Sequence, residues 1–325
     1  MTVHGPGETT PLGARPRRDA PAPPPIPTAP ISDRFDGKLS ARYFRVAELA
    51  ERTRTASTMW WADRPLSEAR NAHLTNTREA FEHALEGGYN FLEGDVRAEI
   101  NHPDRLEMRH DPTHETGDNL TLREWLELGK ASGRGLKLDF KETRLMAQAL
   151  DTIAAVGVPN ERLMFNLGHD DMRKWGPEIR RRFPGAILAL NPPGGNGKLS
   201  DAQVAGMLAQ ARELGGPVAF VVRHDLLTDE AISRLKPVGP VSVWNSTFDG
   251  PKVEDPGALA RALRARGVDG VIDLRRSASR WDRFRAWADW GKNGVVTGFD
   301  EAKNWVGDKV DGARDFGKKV LGKIF

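Results

Sequence analysis

The sequence predicts an α/β protein built as a (β/α)₈ barrel. From about residue 69, short apolar runs alternate with helix-patterned stretches, the signature of strand–helix units around a parallel sheet. Eight such runs can be read, and polar residues cluster at their C-terminal ends, where a barrel of this kind keeps its chemistry. A doubly wound open sheet is the alternative architecture. It would bring a Gly-rich phosphate turn after its first strand, and none is present. Gly194-Gly195-Asn196-Gly197 follows Pro192-Pro193, lacks the spacing of a nucleotide loop and reads as a barrel-rim loop.

Residues 1–35 are dominated by Pro, Ala, Thr and Arg and are expected to form a disordered or extended tail. The barrel is assigned to residues 36–290. It opens with a helix over 39–54 and then Met59-Trp60-Trp61, a tryptophan pair suited to plugging a core or closing a barrel end. The first strand ends near His73, the second near Asp95. The remaining six are expected at 136–140, 163–167, 186–190, 218–222, 241–244 and 270–274. Helices are expected at 77–86, 122–129, 144–155, 171–183, 201–214, 229–235 and 257–266. Thr121, and Ser200 or Asp201, stand where N-caps belong. Gly133, Gly135, Gly185, Gly215-Gly216 and Gly267 stand where C-caps belong.

Residues 295–325 form a last unit. Val306, Val310, Ala313, Phe316, Val320, Leu321 and Ile324 recur mostly at three- and four-residue steps, ahead of a basic end from Lys318-Lys319 through Lys323. This is an amphipathic helix, weakened by Gly307, Gly312, Gly317 and Gly322. It packs on the barrel or, alternatively, makes a peripheral contact with a membrane surface or partner.

Composition narrows the functional classes. A chain of 325 residues buries a full core. A net charge of +3 without a concentrated basic face gives no argument for nucleic acid. The absence of cysteine excludes disulfides, thiolate catalysis and Cys-based metal sites. No run approaches the roughly 18 apolar residues of a membrane span. Residues 1–10 lack a signal-peptide pattern, so a cytoplasmic location is the expectation, with signal-less export as the alternative.

The strand ends carry the chemistry. Glu93 and Asp95 are two residues apart at the end of the second strand, so both side chains point the same way. Two parallel carboxylates repel unless a positive charge lies between them. His110-Asp111 closes a short hairpin. Asp139 and Lys141 end the third barrel strand, with Lys137 deeper on the same face. Trp244-Asn245 ends the seventh and Asp273 the eighth. Three carboxylates suit a Mg²⁺ or Ca²⁺ ion, which can stabilise a phosphoryl oxygen. Two histidines suit a general base and a general acid. The chemistry suggested is attack on a phosphodiester. His169 and His224 are further candidates for the pocket, whereas His83, His102 and His114 read as surface residues.

His73…Asn76-Thr77…Glu93-Gly94-Asp95-Val96…His110-Asp111…Leu138-Asp139-Phe140-Lys141 resembles the phospholipase-C-like phosphodiesterases, including the glycerophosphodiester phosphodiesterases. Within that superfamily, Asp118-Asn119-Leu120-Thr121-Leu122-Arg123-Glu124-Trp125-Leu126 followed by residues 135–141 is most similar to the menorin-like domain. The resemblance covers roughly residues 65–280. It implies a (β/α)₈ TIM barrel of the phospholipase-C-like type. It implies His73 and His110 as the acid–base pair, Glu93, Asp95 and Asp139 as metal ligands, Lys141 as a phosphate contact and Trp244 in the substrate pocket. Asn245 and Lys137 are further substrate-binding candidates. Leu74-Thr75 replaces the usual Arg-Gly after the first histidine. The short gap from Asp95 to His110 leaves no room for the cap domain of glycerophosphodiesterases. The leading expectation is a metal-dependent hydrolase or lyase acting on a glycerophosphodiester or phospholipid head group. The alternatives are a catalytically degenerate barrel that binds or adapts, and an exported effector that contacts membranes.

Overall fold

The computed structural model describes residues 37–110, 118–194, 197–246 and 250–277, with side chains from residue 44 onward. The expectations for the tail at 1–35, the helix at 295–325, the end of the barrel past 277, His114, Asp111, Gly195 and Asn196 lie outside the described residues. Among the described residues, no helix is long and apolar enough to cross a membrane.

The strands are β1 (Asn71–Ala72), β2 (Phe91–Ala98), β3 (Leu106–Met108), β4 (Gly135–Phe140), β5 (Leu163–Asn166), β6 (Ile187–Leu190), β7 (Val218–Arg223), β8 (Val241–Trp244) and β9 (Ile272–Asp273). Eight of them pair in parallel in the order β1-β2-β4-β5-β6-β7-β8-β9. β3 is an added antiparallel partner of β2 and forms the expected hairpin before His110. Helices α1 (Gly37–Arg52), α2 (Arg78–Glu86), α3 (Leu122–Ser132), α4 (Met146–Val156), α5 (His169–Arg182), α6 (Asp201–Leu214), α7 (Asp229–Leu235) and α8 (Pro256–Ala265) complete the (β/α)₈ pattern. Thr121 with Glu124 and Ser200 with Gln203 form full capping boxes, which fixes where α3 and α6 begin.

The apolar residues fall into two bodies. The larger lies between sheet and helices and includes Leu92, Leu136, Leu138, Phe165 and Trp125. The smaller gathers Trp60, Leu66, Phe91, Met164, Ala189, Ala219, Val221 and Val271. These strand residues share the inward parity of Glu93 and Asp95, so they fill the barrel interior. Trp60 meets Phe91 edge to face at 4.8 Å and is 3% exposed, and its N–H donates to Gly133 O at 2.8 Å. Only one tryptophan of the pair is a plug: Trp61 is 45% exposed and lies under the Arg64 guanidinium.

Gly135 is not a C-cap. It opens β4, and a Cβ there would collide with the Phe91 ring, so glycine leaves space for the plug. Gly185 caps nothing either, since α5 ends at Arg182 with Phe183 as its C-cap.

The first and last strands come together through side chains. Asn71 Nδ2 donates to Asp273 Oδ2 at 3.2 Å, and His73 Nδ1 lies 2.7 Å from the same oxygen.

Candidate active site

The site is built on the C-terminal ends of β1, β2, β4 and β9. Register sets Glu93 beside Lys137 and Asp95 beside Asp139, and Asp139 beside Asn166. In a parallel sheet, neighbours in register face the same side, so these groups converge in the barrel mouth. One oxygen each from Glu93, Asp95 and Asp139 lies within 4.8 Å of the others. Glu93 and Asp95 are fully buried.

Each carboxylate has one oxygen tied to the frame. Glu93 Oε2 accepts from the Leu74 N–H at 2.8 Å, with His73 Nδ1 3.3 Å away. Asp95 Oδ2 accepts from Asn76 Nδ2 at 2.8 Å, and the Asp95 N–H donates back to Asn76 Oδ1 at 2.8 Å. Asp139 Oδ1 accepts from Asn166 Nδ2 at 2.8 Å. The second oxygens are turned to the centre. Lys141 Nζ is 2.9 Å from Asp95 Oδ1 and 2.6 Å from Asp139 Oδ2. Glu93 Oε1 is buried without a hydrogen-bond partner, and its nearest cation, Lys137 Nζ, is 4.0 Å off. Three convergent carboxylates, with an orphaned buried oxygen among them and outer hydrogen bonds fixing each, fit a hard divalent cation.

The electrostatics follow from this crowding. Burial and then the charge of Asp95 push Glu93 up to about 7. Burial also works upward on Asp139, but Lys141 and Lys137 overcome it and hold its carboxyl low. Lys141 and Lys137 are both raised, because the surrounding carboxylates outweigh burial. Burial lowers the His73 value, but the bond to Asp273 and the charge of Glu93 leave it raised. His110 stands at the rim, exposed, and is held low by shielding from the protein and, more weakly, by Lys141 and Arg97, against the pull of Asp95. His110 O accepts from Arg97 Nε at 3.1 Å, and the Arg109 N–H donates to Asp95 O at 2.7 Å, so the hairpin carries this histidine to the site.

Leu74 occupies the position where the resemblance has Arg. Its φ is +60°, the single positive value at a non-glycine position among the described residues. That conformation costs about 1–2 kcal/mol. It goes with the Leu74 N–H that donates to Glu93 Oε2.

Trp244 is 38% exposed and in register with Asp273 and Arg223, which places it on the inward face at the mouth. Asn245 is not brought into the site. It is 2% exposed, its amide donates to Arg275 O at 2.8 Å and its oxygen accepts from Arg275 N at 2.7 Å, so it stitches β8 to the chain after β9. Lys137 serves Glu93 from below, with its side chain 11% exposed. Parity gives the inward place at the end of β7 to Arg223, and not to His224. His169 opens α5 and its Nδ1 is 3.3 Å from Asn191 O. His83 and His102 are exposed.

The sequence alone gives Asn76 no role and marks Asp273 only as a strand end. The role of Asn76 needs the turn after β1 to fold back on β2, and that of Asp273 needs the barrel to close. Neither has a local signal beyond parity.

Residues 66–166 match the Menorin N-terminal domain, so this stretch is menorin-like. Among solved structures, the chain is similar to a glycerophosphoryl diester phosphodiesterase from Parabacteroides distasonis ATCC 8503. That likeness has 16% identity and a TM-score of 0.47, and covers 71% of this chain and 88% of that one. It is also similar to a dihydropteroate synthase from Anaplasma phagocytophilum with bound 6-hydroxymethylpterin-monophosphate, at 16% identity and a TM-score of 0.41, covering 63% of this chain and 91% of that one. No curated protein matches.

Proposed function

We propose that this menorin-like barrel is a phosphodiesterase whose site holds a divalent cation, Mg²⁺ or Ca²⁺, and acts on a glycerophosphodiester or phospholipid head group. The observation that carries the reading is the convergence of Glu93, Asp95 and Asp139 beside His73, with Glu93 Oε1 buried and unpartnered. When bound, a hard cation there would offset charge on the phosphoryl oxygens.

The chain's own residues divide the remaining work. His73 has Nδ1 committed to Asp273 at 2.7 Å, which leaves Nε2 to exchange a proton with substrate. His110 follows β3 at the rim and takes the complementary acid–base role. Lys141 supplies an ammonium to the phosphate. Trp244 offers an exposed ring at the mouth to the leaving group. A hydroxyl next to the phosphate, or water, is the attacking group that this pair would serve.

The test is turnover of a panel of glycerophosphodiesters and lysophospholipids with Mg²⁺ or Ca²⁺. His73→Ala and His110→Ala should each lower the rate on the order of 10²–10⁴-fold. Activity that survives both substitutions removes this mechanism.

A second reading, a barrel that binds without turnover, draws on Leu74: the arginine of the resemblance is replaced by a strained leucine. Cation binding with no turnover across the panel would favour it.

A further inference from the structure

We propose that Lys141 is a resident counter-cation which a divalent ion must displace, so that cation and phosphate bind this site cooperatively. This rests on the reading of Glu93, Asp95 and Asp139 as a cation site. Each carboxylate spends one oxygen on the frame, through Leu74 N–H, Asn76 and Asn166. The remaining oxygens of Asp95 and Asp139 are those held by Lys141 Nζ, at 2.9 and 2.6 Å. A dication needs the same two oxygens together with Glu93 Oε1. An ammonium in contact with both would then face a doubly charged ion across a shared carboxylate oxygen, a strongly repulsive arrangement with little water to screen it. One of the two positive groups must leave.

Lys141 has somewhere to go, and Lys137 does not. Lys141 is the first residue past β4, and its side chain is 24% exposed at the mouth. Lys137 is four residues deeper on the same face, with its side chain 11% exposed. Phosphate arriving at the mouth meets the Lys141 ammonium first. A phosphoryl oxygen that accepts from it frees Asp95 Oδ1 and Asp139 Oδ2. The exchange moves one ammonium and breaks no covalent bond. Coupling of this kind is reciprocal: whatever factor phosphate adds to cation affinity, the cation adds to phosphate affinity.

The experiment is calorimetric titration of the full chain with Mg²⁺, with and without inorganic phosphate. Wild type should bind Mg²⁺ at least about fivefold more tightly in phosphate. Lys141→Met, which keeps the length and drops the charge, should bind Mg²⁺ about tenfold more tightly than wild type without phosphate, and should lose the phosphate effect. Equal Mg²⁺ affinity in wild type and Lys141→Met, or an undiminished phosphate effect in the variant, overturns the proposal. If Lys141→Met does not fold, the wild-type titration still decides, because no gain in phosphate overturns it alone. Glu93→Gln separates the two levels of inference. Abolished binding in Glu93→Gln, with Lys141→Met indistinguishable from wild type, sinks only the role of Lys141. Mg²⁺ binding unaffected by Glu93→Gln, or absent from wild type, sinks the cation site and this proposal with it.

Discussion

Gly94 lies against Trp125 with no room for a side chain: a Cβ would stand 3.0 Å from Trp125 Cε2 and 2.5 Å from Met108 Cε. Met108 ends in a flexible group, but the indole is fixed. Its Nε1–H donates to Thr75 O at 2.9 Å and lies 3.0 Å from Thr75 Oγ1, and Phe81 meets the ring edge to face. The Thr75 N–H in turn donates to Glu93 O at 2.8 Å. Gly94→Ala is therefore expected to cost about 1–3 kcal/mol of stability in chemical denaturation. It should weaken Mg²⁺ binding as well, because relief of the clash passes through Thr75 to Glu93. An unchanged denaturation midpoint would contradict this packing account.

Asp273→Asn tests the aim of His73. The amide keeps the size and the contact to Asn71 but removes the charged acceptor at Nδ1. Turnover of any diester the protein cleaves should fall on the order of 10²-fold or more, with KM less affected than kcat. Rescue by Asp273→Glu would be partial at best, since the extra methylene shifts the carboxylate from its 2.7 Å contact with His73 Nδ1.

Glu93 makes the metal-free protein sensitive to pH. Its folded value is raised from 4.5 to about 7, so between these values the folded chain binds more protons than the unfolded one. Stability contributed by this group is present below its unfolded value and is lost as pH rises through the folded one. In chelator, wild type should lose thermal stability over that window, and Glu93→Gln should lose less and melt higher at pH 8. Parallel pH profiles for the two proteins would refute the linkage.

Trp60→Ala removes the plug at the opposite end of the barrel. Truncating a tryptophan packed on Phe91 is expected to cost about 3–5 kcal/mol. Mg²⁺ affinity should stay at the wild-type value in whatever fraction folds, since Trp60 packs in the interior apolar cluster, against Phe91. Loss of Mg²⁺ binding in folded protein would mean the barrel interior transmits strain along its axis.

The strand–helix order was legible in the sequence because each element carries its own period and punctuation. α6 and α7 lie where expected, Asp201–Leu214 and Asp229–Leu235, since Ser200 and Thr228 cap them. The ends of the sheet were less legible. The last strand is Ile272–Asp273, shorter than the expected 270–274, because side chains take the backbone donors ahead of it: the Val241 N–H donates to Asp269 Oδ1 and the Val271 N–H to Ser242 Oγ. Among the candidate site residues, parity along a strand puts Glu93 with Asp95, and Lys137 with Asp139 and Lys141, and register brings the two sets side by side. Parity sets Asn245 on the face opposite to Trp244, and there its side chain is used by the backbone of Arg275. Asn76 and Asp273 stayed unassigned because their partners lie on other strands, and sequence spacing carries no trace of a contact across 200 residues.

The barrel is a split ring. Its first and last strands are two residues each, and Asp273 spans the slit by holding Asn71 and His73 together. In such a ring, thermal breathing concentrates at the slit, where the fewest backbone bonds must break. An opening there would separate His73 from the Asp273 carboxylate. A ligand that bridges His73 and the carboxylates would act as a clasp, so occupancy of the site and closure of the cylinder would rise and fall together.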